Sequence, residues 1–141
     1  MSARTFAFGT ALAALLPVAG STALGVRALA PFDVVVDGLD DPRGLAVDSD
    51  DNVFVAERAR GTVLRVSSTG RRTIVARGLK RPFGLAVDAE ARVVVSEEGG
   101  GRLLRLDPTG PRTLATGLRQ PRWVAIADSG AIYVIVQSSE D

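Results

Sequence analysis

Few residues in this chain are able to do chemistry, and two absences narrow them further. The 141-residue sequence contains neither His nor Cys. That removes the Ser-His-Asp triad, the thiol nucleophile, the disulfide, and metal sites built on imidazole or thiolate. What remains is carboxylate, guanidinium and hydroxyl chemistry, or an oxygen-ligated cation such as calcium. Glu57 and Glu97 stand out because they hold the same place in two related segments forty residues apart. Arg43, Phe83 and Arg122 likewise share one place in three such segments. The expected ligand-binding site is therefore a single rim of loops. There Glu57 and Glu97 serve as acceptors or oxygen ligands, and Arg43, Phe83 and Arg122 set specificity. No catalytic residue is assigned. The competing reading pairs Glu57 and Glu97 with Arg of the adjacent repeat, as ties between repeats.

Three other stretches invite a chemical role and have simpler accounts. Asp48-Ser49-Asp50-Asp51-Asn52 is rich in oxygen ligands. An EF-hand loop counted from Asp48 needs Gly where Val53 stands and Glu where Ala59 stands, so a solvated hairpin turn fits better and no metal ligand is assigned. Gly99-Gly100-Gly101 lies between two predicted strands, not ahead of a helix, so it lacks the amide nest and dipole of a phosphate cradle. Trp123 is either a stacking platform for a sugar or packing at a junction between repeats.

The elements that position these residues follow from the repeat. GLKRPFGLAVD at 78–88 echoes GLDDPRGLAVD at 38–48, and GLRQPRWVAIA at 117–127 is a degraded third copy. A period of about forty residues signals stacked supersecondary units. Pro42, Pro82 and Pro121 mark the turns that begin each unit. In the first full unit the turn punctuation predicts strands at Gly44–Val47, Val53–Ala56, Thr62–Val66 and Thr73–Ala76. The second unit predicts Gly84–Val87, Val93–Ser96, Arg102–Leu106 and Thr113–Thr116. A short strand at Phe32–Val36 precedes them, and Ile132–Val136 is the second strand of the third unit. The class is all-β, with about two and a half four-stranded antiparallel blades of an incomplete β-propeller. The strands are nearly continuous apolar runs, which predicts sheets covered on both faces, as stacked blades are.

Composition is that of a globular domain, 46% hydrophobic and 23% charged. Seventeen basic and sixteen acidic side chains nearly cancel. The basic residues are dispersed with the repeat, so nucleic acid is not an expected partner. The N-terminus has the pattern of an export signal, with Arg4 ahead of the apolar run Phe6–Ala19. That run is too short to span a bilayer. Ala23-Leu24-Gly25 and Ala28-Leu29-Ala30 resemble cleavage sites, the second followed at once by Pro31. Residues 1–30 are accordingly expected to be a signal peptide, and 31–141 a secreted or periplasmic partial propeller with no membrane span. Two and a half blades leave apolar faces uncovered. The chain is then expected to be a piece of a longer protein, to self-associate through those faces, or to be a remnant.

The phrase GLxxPxGLAVD, the following xVxVxE strand, a Gly-bearing loop, a (V/L)LR(V/L) strand and a TG turn resemble NHL repeats. They are similar too to the wider six-bladed group around SMP-30/gluconolactonase and the strictosidine-synthase-like propellers. For NHL members the resemblance implies binding of a protein, peptide, glycan or small molecule on one face. For gluconolactonase-like members it implies metal-dependent hydrolysis of lactones, with a divalent metal such as calcium held by Glu, Asn and Asp of several blades. None of those ligands matches a position here. The streptogramin lyases, which are similar propellers, depend on a His that this sequence lacks.

Overall fold

Each repeat unit begins at a turn and ends at a turn, and the same side chains make the same turns twice. Asp48 Oδ1 accepts the backbone N–H of Asp50 at 3.0 Å and of Asn52 at 2.9 Å. Forty residues on, Asp88 Oδ1 accepts those of Glu90 at 3.1 Å and Arg92 at 2.8 Å. A short acidic side chain bonding its own backbone in this way sets the hairpin. The last residue of GLAVD is thus a turn cap, and the expected hairpin at 48–52 is what forms. In the third copy Ala127 has no such side chain. The turn survives there on the backbone bond from Gly130 N to Ala127 O, 2.8 Å.

In the computed structural model, residues 13–15 and 33–138 are described. Every regular element among them is a strand: β1 (Ala13–Leu15), β2 (Asp33–Val36), β3 (Pro42–Val47), β4 (Val53–Glu57), β5 (Thr62–Val66), β6 (Arg72–Ala76), β7 (Pro82–Val87), β8 (Val93–Glu97), β9 (Arg102–Asp107), β10 (Gly110–Ala115), β11 (Val124–Ile126) and β12 (Ile132–Val134). The chain divides into two compact units, residues 1–39 and 40–141. In the first, β1 and β2 pair antiparallel, Ala13 opposite Val36 and Leu15 opposite Asp33. Apart from Ala13–Leu15, the expected signal segment lies outside the described residues.

The second unit holds two four-stranded antiparallel meanders, β3-β4-β5-β6 and β7-β8-β9-β10, followed by the pair β11-β12. Each predicted strand of the two full repeats is present, with ends shifted by up to three residues. Pro42 and Pro82 start the inner strands opposite Glu57 and Glu97, and a bulge follows before Leu45 and Leu85. A strand start beside a bulge is where Pro, which cannot donate to the ladder, is tolerated.

The sheets stack, β3 and β4 against β7, and β7 against β11. Phe54, Ala56, Val63, Ala76 and Leu79 meet Leu85, Val93, Val95 and Leu104 in one buried cluster. Each Val, Leu or Phe among them contributes on the order of 1.5–3 kcal/mol by leaving water. Coverage on both faces is partial: β8 is buried throughout and β7, between β3 and β11, exposes no side chain, whereas β3, β6 and β10 each expose side chains. The uniform coverage expected from the apolar runs is thus corrected: it holds for a strand with a sheet packed on each side, as β7 has, and fails at β3, β6 and β10.

Two glycines set how closely the sheets approach. A Cβ on Gly44 would overlap the carbonyl oxygen of Phe83 and stand 2.9 Å from Leu85 N. A Cβ on Gly84 would overlap that of Arg122 and stand 3.0 Å from Val124 N. The repeated glycine of the opening phrase is a contact point between successive inner strands. Trp123 holds that place in the third copy and is 53% exposed.

Candidate functional site

The connections that begin the repeats share one structural habit. Asp41, Arg81 and Gln120, each immediately before a Pro, have φ of 48°, 55° and 41°. The left-handed region is uncommon for residues other than Gly. Its recurrence at one position reflects a turn that must swing each connection over the end of the preceding strand pair. Backbone bonds hold it there. Arg58 N–H donates to Asp41 O at 3.0 Å, Glu98 N–H to Arg81 O at 3.0 Å, and Gly99 N–H to Lys80 O at 2.9 Å. The loops after β4 and β8 therefore share an edge with the Pro-bearing connections.

Glu57 and Glu97 sit beneath that edge, with side chains 2% and 0% exposed. Glu57 Oε1 accepts the Asp40 N–H at 3.1 Å and pairs with Arg60 Nη1 at 2.5 Å, while Oε2 accepts the Thr62 hydroxyl at 3.0 Å. Glu97 Oε1 accepts the Lys80 N–H at 2.7 Å, and Oε2 pairs with Arg102 Nε and Nη2, both at 2.6 Å. Each carboxylate closes the loop of its own blade. This corrects both sequence readings. Glu57 and Glu97 present no open oxygen to a ligand, and their arginines belong to the same repeat, not the adjacent one. The third unit has Val136 at this position, which carries no acceptor.

Arg43, Phe83 and Arg122 do come together. The inner strands β3 and β7 and the segment that leads into β11 lie side by side, which places the guanidinium carbons of Arg43 and Arg122 at 6.0 and 5.5 Å from the centroid of the Phe83 ring. Both lie in the range where a cation is drawn to an aromatic quadrupole. Trp123 meets Phe83 edge-to-face, centroids 5.2 Å apart and planes at 87°.

Two carboxylates hold the arginines in place. Asp41 pairs with Arg43 Nη2 at 2.8 Å and with Arg58 Nη1 at 3.1 Å. Glu98 is buried, its side chain 2% exposed, under Arg81 at 2.8 Å, Arg122 at 3.1 Å and Arg58 at 3.3 Å. The hydrogen bond to Asp41 leads the causes that raise the Arg58 guanidinium above its usual range; burial opposes it, and Glu98 adds to the rise. Four guanidiniums thus face two carboxylates, and the cluster is cationic. Glu98, Asp41 and Arg81 had no assigned role in the sequence reading. The available signal was the break in the repeat at one position, which reads Arg58, then Glu98, then Gln137.

A shallow depression of about 260 Å³ lies beside the hairpin turns, bordered by Asp88, Arg92, Arg105 and Ser129. Both of its arginines are already paired, Arg92 with Asp88 and Glu90 and Arg105 with Asp107. Among the described residues, no three His, Cys, Asp or Glu side chains are grouped so that they could hold a metal ion. With Glu57 and Glu97 filled by their own donors, these residues do not fit the metal that a gluconolactonase-like site requires. No described helix is long and apolar enough to cross a membrane.

Neither a family model nor a curated protein matches this chain. Solved structures do. A gluconolactonase from Xanthomonas campestris is 24% identical with a TM-score of 0.64, over 71% of this chain and 36% of that one. A chain of a nidogen/laminin complex is 25% identical with a TM-score of 0.67, over 73% and 43%. A PQQ-bound aldose sugar dehydrogenase from Streptomyces coelicolor is 23% identical with a TM-score of 0.61, over 76% and 41%. The chain spans less than half the length of each. Its four-stranded units are β-propeller blades, and the resemblance to SMP-30/gluconolactonase-like and NHL-type propellers holds at the level of structure. That fold serves lactonases and binding modules alike.

Proposed function

We propose that this chain is an exported propeller module that binds a ligand or partner at its loop-bearing rim, through Arg43, Phe83 and Arg122. The observation that carries the reading is the Phe83 ring flanked by two guanidiniums at 6.0 and 5.5 Å, on the edge where all the blade connections gather. Arg43 and Arg122 are 43% and 48% exposed, so both keep donors turned to solvent. Arg43 and Phe83 stand on strands β3 and β7, and the Arg122 N–H is bonded to Ile135 O at 2.9 Å, which limits the entropy lost when a ligand is captured. Export rests on the pattern of residues 1–30, and N-terminal sequencing of protein recovered outside the cytoplasm tests it. The mature chain is expected to start after Gly25 or Ala30.

A ligand-observed NMR fragment screen tests the rim. Hits on the wild-type chain are expected to weaken on Arg43→Gln, Arg122→Gln and Phe83→Ala. Hits that bind all three variants as well as the wild type would place the site elsewhere.

A further inference from the structure

We infer that the rim takes an acidic oligosaccharide, its pyranose ring stacked on Trp123 and its carboxylate held by Arg43 and Arg122. The inference rests on the rim reading above and names the ligand class. Charge is the first argument. Among the described residues, Arg43, Arg58, Arg81 and Arg122 pair with two carboxylates, Asp41 and Glu98, and three of the four are between 43% and 54% exposed. A planar guanidinium fork is suited to a carboxylate, and two of them flank the ring that Trp123 abuts.

Trp123 is the second argument. Both other copies of the repeat place Gly at this position, so the indole is a local departure from the scaffold. It is 53% exposed, as are other apolar side chains of the same unit, Tyr133 at 65% and Ile135 at 60%, so the indole keeps a wet face. The edge contact with Phe83 fixes its orientation. An aromatic side chain held with a wet face beside cationic donors offers apolar surface and polar handles together. A sugar acid has that same combination.

Backbone pairing weighs against an extended acidic peptide. Arg122 N–H is bonded to Ile135 O at 2.9 Å and Ile135 N–H to Trp123 O at 2.9 Å. Arg58, Glu98 and Gly99 spend their N–H groups on the connections. At those five positions a peptide would therefore find no N–H left to pair with.

Trp123 is the single Trp of the chain, so intrinsic fluorescence of the full 141-residue protein reports this place directly. Trigalacturonate is expected to change that fluorescence saturably. Its neutral methyl ester should bind at least tenfold more weakly. Arg43→Gln and Arg122→Gln should each cost about tenfold for the acid, and rising salt should weaken binding. By calorimetry, Trp123→Ala should lose binding and Trp123→Phe should keep part of it. Circular dichroism checks that each variant is folded, with the Lys substitutions replacing any Gln variant that is not. No response to trigalacturonate, or equal affinity for acid and ester, overturns the proposal. Tighter binding of oligoglutamate that is abolished in Arg122→Gln also overturns it, while leaving the rim reading intact. Binding of trigalacturonate that survives unchanged in the Arg and Trp123 variants overturns both.

Discussion

The carboxylate of Glu97 accepts the backbone N–H of Lys80 at 2.7 Å, bridging seventeen residues of chain. Glu57 does the same for Asp40 at 3.1 Å. The bond ties the connection that starts a blade to the end of that blade's second strand, and Arg102 or Arg60 neutralises the charge. This is a closing latch for each repeat, made from residues that read as a binding pair in the sequence.

Glu97→Ala should therefore destabilise the protein strongly. It strips the acceptor from the part-buried Lys80 N–H and the partner from Arg102, which is 38% exposed, and a loss of about 1–3 kcal/mol follows when a hydrogen-bonded group is left without its partner. Glu97→Gln keeps an acceptor for Lys80 and should cost less. Urea denaturation of the two variants, compared by midpoint at constant slope, checks the order.

Gly84→Ala should be worse than an ordinary Gly→Ala exchange, because the new methyl group meets the carbonyl oxygen of Arg122, which belongs to backbone and cannot turn aside. A cost of about 2–3 kcal/mol is expected from overpacking. The same change at Gly70, where nothing lies within 4 Å, meets no neighbour and suffers only from its φ of +82°. Thermal unfolding should place Gly84→Ala below Gly70→Ala.

Ala91 sits in its turn with φ of 59°, the conformation that Asp51 adopts in the first repeat at the same value. A left-handed residue with a Cβ costs about 1–2 kcal/mol. Ala91→Gly should recover part of that and raise stability by about 0.5–1 kcal/mol, after the larger entropy of Gly in the unfolded chain is deducted. A lower denaturation midpoint for Ala91→Gly would show that this turn is not strained.

Acid should loosen the hairpin turns that Asp48 and Asp88 hold. At Asp88 burial alone would raise the carboxyl, but hydrogen bonds from the Arg92 backbone and side chain outweigh it, and the net shift is downward from 3.8. Asp48 is lowered in the same way, with Asn52 supplying the main bonds against burial. A carboxyl whose folded value lies below its unfolded value contributes stability in full above about pH 4. That contribution is lost as pH falls from there through the folded value. Stability of the wild type should decline below about pH 4, and Asp88→Asn should flatten part of the decline. Denaturant midpoints measured from pH 6 to pH 2.5 test it.

The period of the repeat, the strand positions and the all-β class were legible in the residues because they depend on local rules. Pro and Gly mark the turns, short β-branched runs mark the strands, and a phrase recurring at forty residues marks the stacked unit. The placement of Arg43, Phe83 and Arg122 on one rim was legible for a related reason. Equivalent positions of stacked repeats end up side by side, so a shared place in the phrase becomes a shared place in space. Glu57 and Glu97 were not legible in that way. They too share a repeat position, but whether a carboxylate points out to a ligand or inward to a backbone amide depends on where that amide stands. The Lys80 and Asp40 N–H groups reach them only after a left-handed turn at Arg81 and Asp41 folds the connection over the strand end. The same holds for Glu98, whose three arginines come from three successive repeats. Local residue types carry the fold, while the direction of each charged side chain was decided by partners that only the packed sheets bring within reach.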